Sequence, residues 1–183
     1  MTAPPRLMLD ACVLFPTVQR EVLIGAAQAG FFRPVWTARI LEEWARAVRK
    51  LGPGAEDVAR GEIALLRAAF PGAEVPEAPH VEQRLYLPDE NDLHVLAAAI
   101  ACGADAIVTV NAADFPRGTL AAEGLDRRDP DGLLWDFASR APQAMTAVLE
   151  TVRAKAEALS GQPQPLKPLL KRARLNRLAR LLA

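Results

Sequence analysis

Asp10, Glu43, Asp92 and Asp114 are the residues whose type and placing could do chemistry in this chain. They stand in Leu9-Asp10-Ala11-Cys12, Leu41-Glu42-Glu43-Trp44, Asn91-Asp92-Leu93 and Ala113-Asp114-Phe115, each at or near the end of an expected strand or helix. Carboxylates drawn into one cleft repel each other, and a cation is what lets them share it. An oxygen-only ligand set suits Mg²⁺ or Mn²⁺, the metals of phosphoryl chemistry.

Each acid also has an ordinary reading. Asp10 ends an apolar strand, where a carboxylate is costly to bury alone but could cap a helix or bond a loop. Glu42 has Arg46 four residues on, an exposed ion pair that explains it without function. Glu43 has Arg39 and Ala47 at those offsets, which makes it the freer of the two. Asp89 and Asn91 suit a helix start, and Asp92 in the first turn would favour the helix dipole anyway. Asn111 and Asp114 follow a buried strand, where loop chemistry competes with ligand binding. The combination says more than any member.

The elements that must position these acids alternate in type. Residues 6–10 read as a short buried strand and 18–29 as a helix stopped by Gly30. Residues 32–36 read as a strand weakened by Pro34, followed by a helix from a Thr37 cap to about Lys50. A helix is expected over 56–69, with 74–79 extended and available as a further strand. Asp89 to Cys102 is a helix with Leu93, Leu96, Ala97 and Ile100 on one stripe, and Gly103 sits where a left-handed cap belongs. Residues 106–110 are β-branched and apolar, the profile of a strand covered on both faces. Alternating strands and helices imply a parallel sheet, whose ligands gather beyond the strands' carboxyl ends. After Pro116 the pattern is helical, over 131–138 and 142–159, with Gly161 to Pro165 as a linker.

Composition sets the outer bounds. A chain of 183 residues, half hydrophobic and a quarter charged, buries one good core. Its two cysteines, Cys12 and Cys102, form no CxxC pair, which argues against a disulfide scaffold and against zinc. No apolar run reaches bilayer length, and the first residues lack the order of a signal peptide, so a cytoplasmic protein without membrane association is expected. Net charge is zero but unevenly spread. Lys167, Lys171, Arg172, Arg174, Arg177 and Arg180 share the last 22 residues with no acid; the remainder holds 16 basic against 22 acidic residues. With Leu175, Leu178 and Leu182 on one face, this tail reads as a basic amphipathic helix able to contact RNA or a partner.

The set resembles the PIN-domain family of ribonucleases, including toxin members of the VapC type. The resemblance rests on Leu9 to Pro16, on Leu41-Glu42-Glu43-Trp44, on Asp89 to Ala99 and most strongly on Gly103 to Pro116. It implies a three-layer α/β/α fold with a central parallel sheet over residues 1–120, and a helical C-terminal extension with the basic tail over 121–183. It further implies catalytic acids at Asp10, Glu43, Asp92 and Asp114, with Mg²⁺ or Mn²⁺ on Asp10, Asp92 and Asp114. Thr109, Asn111 and Cys12 would stand beside them, behind the metal or against substrate. An RNA substrate cut by a metal-activated water to 5′-phosphate and 3′-hydroxyl ends, an antitoxin partner and a homodimer follow from the same resemblance. Two departures stand out: Cys12 where many members have Asn or Ser, and Asn111 where many have Asp. They favour a rival reading, a PIN-like binding module that has lost catalysis. A receiver domain with Asp10 as phospho-acceptor fits less well, because no lysine occurs between Lys50 and Lys155.

Overall fold

The structure is a computed structural model and describes residues 3–181. In chain order the elements are β1 (Arg6–Leu9), α1 (Ala11–Leu14), α2 (Thr17–Gln28), β2 (Arg33–Val35), α3 (Ala38–Ala47), α4 (Ala55–Ala69), α5 (Pro79–Glu82), α6 (Leu93–Ala101), β3 (Ala106–Val108), α7 (Arg117–Ala122), β4 (Asp126–Arg128), α8 (Pro130–Arg140), α9 (Pro142–Ser160), α10 (Leu166–Arg172) and α11 (Asn176–Arg180). Short 3₁₀ turns cover Val48–Leu51 and Glu90–Asp92.

The four strands form one sheet in the order β2-β1-β3-β4, all parallel. Every residue of β3 is buried, as is β1 after its first residue, so helices cover both faces. This is the three-layer α/β architecture expected. The register places Leu9 beside Val108, and Val108 beside Arg128, so three strands end level at the carboxyl edge.

Local chemistry explains several boundaries. Thr37 accepts the Ile40 N–H at 3.1 Å and starts α3 as its sequence suggested. Gly103 adopts φ +65° just after α6, a left-handed conformation that glycine takes without steric penalty. Pro34 is tolerated because β2 is an edge strand. Residues 74–79 do not add a strand: one isolated bridge, Trp36 to Glu74, is all they contribute.

The region after Pro116 departs from the helical reading. β4 there is a true sheet strand, hidden in the sequence because Asp126-Arg127-Arg128 is wholly polar. An edge strand with one covered neighbour needs backbone pairing more than apolar side chains. The tail is also different from one continuous helix. It is broken between α10 and α11, where Arg174 has φ +61°. Leu169, Leu170, Leu175 and Leu178 are buried, each contributing roughly 1.5–3 kcal/mol of docking; Leu182 lies outside the described residues. Asp131 at the start of α8 accepts the N–H groups of Arg177 and Leu178 at 2.8 and 3.0 Å, which caps α11. The tail is therefore fastened to the body.

Candidate active site at the carboxyl edge of the sheet

Asp10 is positioned by β1. Its N–H donates to Val108 O at 3.2 Å, extending the ladder one step before the chain turns into α1. It occupies the residue before α1, yet its side chain makes no capping bond. Its Oδ2 instead accepts from Thr109 Oγ1 at 2.7 Å and from Cys12 Sγ at 2.9 Å. Asp10 is only 4% exposed, and among the described residues Oδ1 takes no hydrogen bond. Two neutral donors on one oxygen offset part of the cost of burying the carboxylate.

Thr109 and Cys12 are consumed by this arrangement. Thr109 Oγ1 also accepts the Asn111 N–H at 3.0 Å and lies 3.3 Å from Cys12 Sγ, while Sγ accepts the Val110 N–H at 3.4 Å. Burial first, then the charge and hydrogen bond of Asp10, push the Cys12 thiol up to about 12. It is a protonated donor at neutral pH, not a thiolate ligand. Cys12 thus supplies Asp10 with a hydrogen bond, a job that does not require affinity for a hard metal.

Asp92 precedes α6 and likewise makes no capping bond. The capping is done by Asp89, whose Oδ1 accepts the Asn91 N–H at 2.9 Å. Half-burial lifts the Asp92 carboxyl from 3.8 to about 6, helped by the charges of Asp10, Asp89 and Asp114, with His94 opposing. These aspartates therefore share one electrostatic environment. No ion pair among the described residues includes Asp10, Asp92 or Asp114.

Asp114 sits half-exposed in the loop after β3. Arg127 on β4 fixes that loop, its Nη1 donating to Ala112 O at 2.5 Å and Phe115 O at 2.8 Å, and the buried Phe115 ring anchors the far end. Nothing in the sequence singled out Arg127, because its function depends on a strand that had no apolar signature.

Glu43 is not the free acid its spacing suggested. Its Oε1 accepts from Arg39 Nε at 3.4 Å and lies 2.9 Å from His94 Nε2. His94 is 1% exposed, and neither ring nitrogen makes an aligned hydrogen bond. The two groups approach closely but off the hydrogen-bond axis. Glu43 thus stands beside His94, two residues after Asp92. His94, in the helix that follows Asp92, packs inside the fold rather than facing water.

The donor set decides which ion fits. Among the described residues, no three His, Cys, Asp or Glu side chains form a ready-made cage. Carboxylates that repel one another and lack cationic partners fit Mg²⁺ or Mn²⁺; Mg²⁺ in particular is commonly bound by one or two carboxylates plus waters and substrate phosphate. Arg39 pairs with Glu43, Arg84 with Glu123 at 2.7 Å, and Arg117 with Asp126 at 3.1 Å. A cavity of about 660 Å³ between α2, α4 and α9 includes none of the site residues.

Comparison with known families bears on this edge directly. The PIN domain matches residues 6–113, a span that includes Asp10, Glu43 and Asp92 and stops one residue short of Asp114. The chain belongs to the PIN-domain family. No curated protein and no solved structure matches it. The PIN domain is a nuclease-type fold, and the matched span runs from β1 through the loop after β3. No helix among the described residues is long and apolar enough to cross a membrane.

Proposed function

We propose that this PIN domain is a metal-dependent endoribonuclease that hydrolyses RNA phosphodiester bonds, and that it is the toxin half of a type II toxin–antitoxin pair. The observation that carries the nuclease reading is the group of three aspartates, Asp10, Asp92 and Asp114, none of them capping a helix or paired with a cation. Two of them occupy N-cap positions without making a capping bond. The toxin role, with its antitoxin and homodimer, rests on the family resemblance alone.

Asp10, Asp92 and Asp114 would hold Mg²⁺ or Mn²⁺, which lowers the pKa of a bound water and offsets charge on a phosphoryl oxygen. Thr109 and Cys12 hold Asp10 Oδ2, which leaves Oδ1 for the ion. Asn111 shares this frame through its N–H to Thr109 and leaves its amide for substrate. Glu43, steadied by Arg39 and beside His94, is the carboxylate available to take a proton from an attacking water. The in-line displacement leaves a 5′-phosphate and a 3′-hydroxyl.

Asn111 favours a second reading, a binding module without catalysis, because it leaves one charge fewer at the edge. Incubating a mixed pool of structured RNAs with purified protein in Mg²⁺, Mn²⁺ or EDTA, beside Asp10→Ala, separates the two. Metal-dependent cutting lost in Asp10→Ala supports the enzyme. RNA binding without cutting under any metal supports the module.

A further inference from the structure

The 22 Lys and Arg residues are divided unequally between two jobs. Eleven are in ion pairs, at positions 20, 39, 46, 49, 60, 67, 84, 117, 128, 153 and 155. None of the six in the tail is in an ion pair among the described residues, and five of them, Lys171, Arg172, Arg174, Arg177 and Arg180, are exposed. A protein that pairs eleven of the sixteen cations on its body with acids, yet none of the six in its tail among the described residues, leaves a run of positive charge open to an anion.

The run is also held rigidly and in a telling place. Arg177 lays its guanidinium over the Trp135 ring at 5.0 Å, and buried leucines fasten α10 and α11 to the body. Thr109, beside Asp10, donates its N–H to Arg128 O at 3.0 Å. The next residue, Asp129, accepts the Gly132 N–H and starts α8. Two residues further, Asp131 caps α11. The start of α11 is therefore tied to the same carboxyl edge that carries the aspartates, displaced by the width of β4.

We propose that the exposed cations of α10 and α11 form a track for the phosphate backbone of single-stranded RNA, leading into the aspartate cleft. This rests on the ribonuclease reading and adds where the strand is gripped. An acid-lined cleft repels a polyanion, so affinity must come from cations outside it. The Arg127 guanidinium is spent on the carbonyls of the loop that carries Asp114, and Arg84 and Arg117, close to Asp92 and Asp114 in sequence, are already in ion pairs. The tail cations are not. An acidic protein segment is the competing occupant, but the position beside the cleft favours the strand that is cut there.

The test measures affinity of the full chain for a single-stranded RNA 20-mer by fluorescence anisotropy in EDTA, so binding is read separately from cleavage. Lys171→Gln, Arg174→Asn and Arg180→Gln are combined; Asn tolerates the left-handed conformation at 174, and all three sites are exposed. Losing three phosphate contacts lowers the slope of log K against log salt by about 2, and weakens binding roughly 100-fold at 0.1 M salt, with convergence near 1 M. A control combining Arg46→Gln, Arg49→Gln and Lys155→Gln removes equal charge from paired sites and is expected to keep the parent slope. Equal losses in both sets would overturn the track, as would an unchanged slope in the tail variant. So would retained RNA affinity with lost binding of a poly-glutamate peptide, which would give the surface to an acidic protein. With RNA titrated to saturation in Mg²⁺, the tail variant should show raised KM and unchanged kcat. Absence of cutting by the parent would refute the ribonuclease reading and leave the binding comparison standing by itself.

Discussion

Replacing Asp92 by Asn should make the metal-free protein more stable at neutral pH, although it removes a proposed metal ligand. The Asp92 carboxyl is raised from 3.8 to about 6 in the folded state, first by burial and then by Asp10, Asp89 and Asp114. Because the folded value lies above the unfolded one, its favourable contribution is complete below about pH 3.8 and is lost as pH rises through about 6. A rise from 3.8 to about 6 corresponds to about 3 kcal/mol. Asp92 is only half-buried, so solvent screening reduces this to about 1–1.5 kcal/mol. An amide of similar shape removes the repulsion and the desolvation of charge together. Urea unfolding in EDTA at pH 7.5 should therefore place Asp92→Asn about 1 kcal/mol above the parent, or roughly 2–4 °C in Tm. The gap should close at pH 4. Adding Mg²⁺ should raise the parent and leave the variant nearly unmoved, reversing the order if binding is tight. A variant less stable than the parent at pH 7.5 in EDTA would refute the reasoning, because Asp92 would then have a structural partner.

Other outcomes follow from the same contacts. Thr109→Val keeps the shape but strips Asp10 of one donor and the Asn111 N–H of its acceptor, and should cost about 1–3 kcal/mol in urea unfolding. In a Cys102→Ser background, Cys12 should resist alkylation at pH 8 despite partial exposure, because burial and Asp10 hold its thiol near 12; rapid labelling would contradict that. Gly25→Ala would bring a Cβ to 2.7 Å from Val148 Cγ1 where α2 crosses α9, costing about 1–3 kcal/mol, and Val148→Ala should recover part of it in a double-mutant cycle.

How much of this was legible in the sequence depends on whether a residue's role is local. Asp10, Thr37 and Gly103 could be read because strand end, helix cap and left-handed cap each have a short-range signature. β4 could not, since its three polar residues join the sheet through backbone bonds to β3 that no side-chain pattern announces. In the tail, Leu175 and Leu178 were legible as apolar-face residues and are buried, but the break at Arg174 was not, because a positive φ at arginine defies the usual preference. At the site, spacing along α3 correctly paired Glu42 with Arg46 and wrongly left Glu43 free. Its second neighbour, His94, comes from α6, and long-range packing of that kind is invisible to an i to i+4 rule. Asp10 and Asp114 could be placed because each follows a strand at the carboxyl edge of a parallel sheet, and Asp92 because it opens the helix that precedes β3.

The most direct measurement is calorimetric titration of Mn²⁺ into the metal-free protein and into Asp10→Asn, Asp92→Asn and Asp114→Asn. Binding in the parent that is weakened by each substitution is the expected result, and would place the three acids on one ion. Binding unchanged by all three substitutions, or no binding in the parent, would contradict the account.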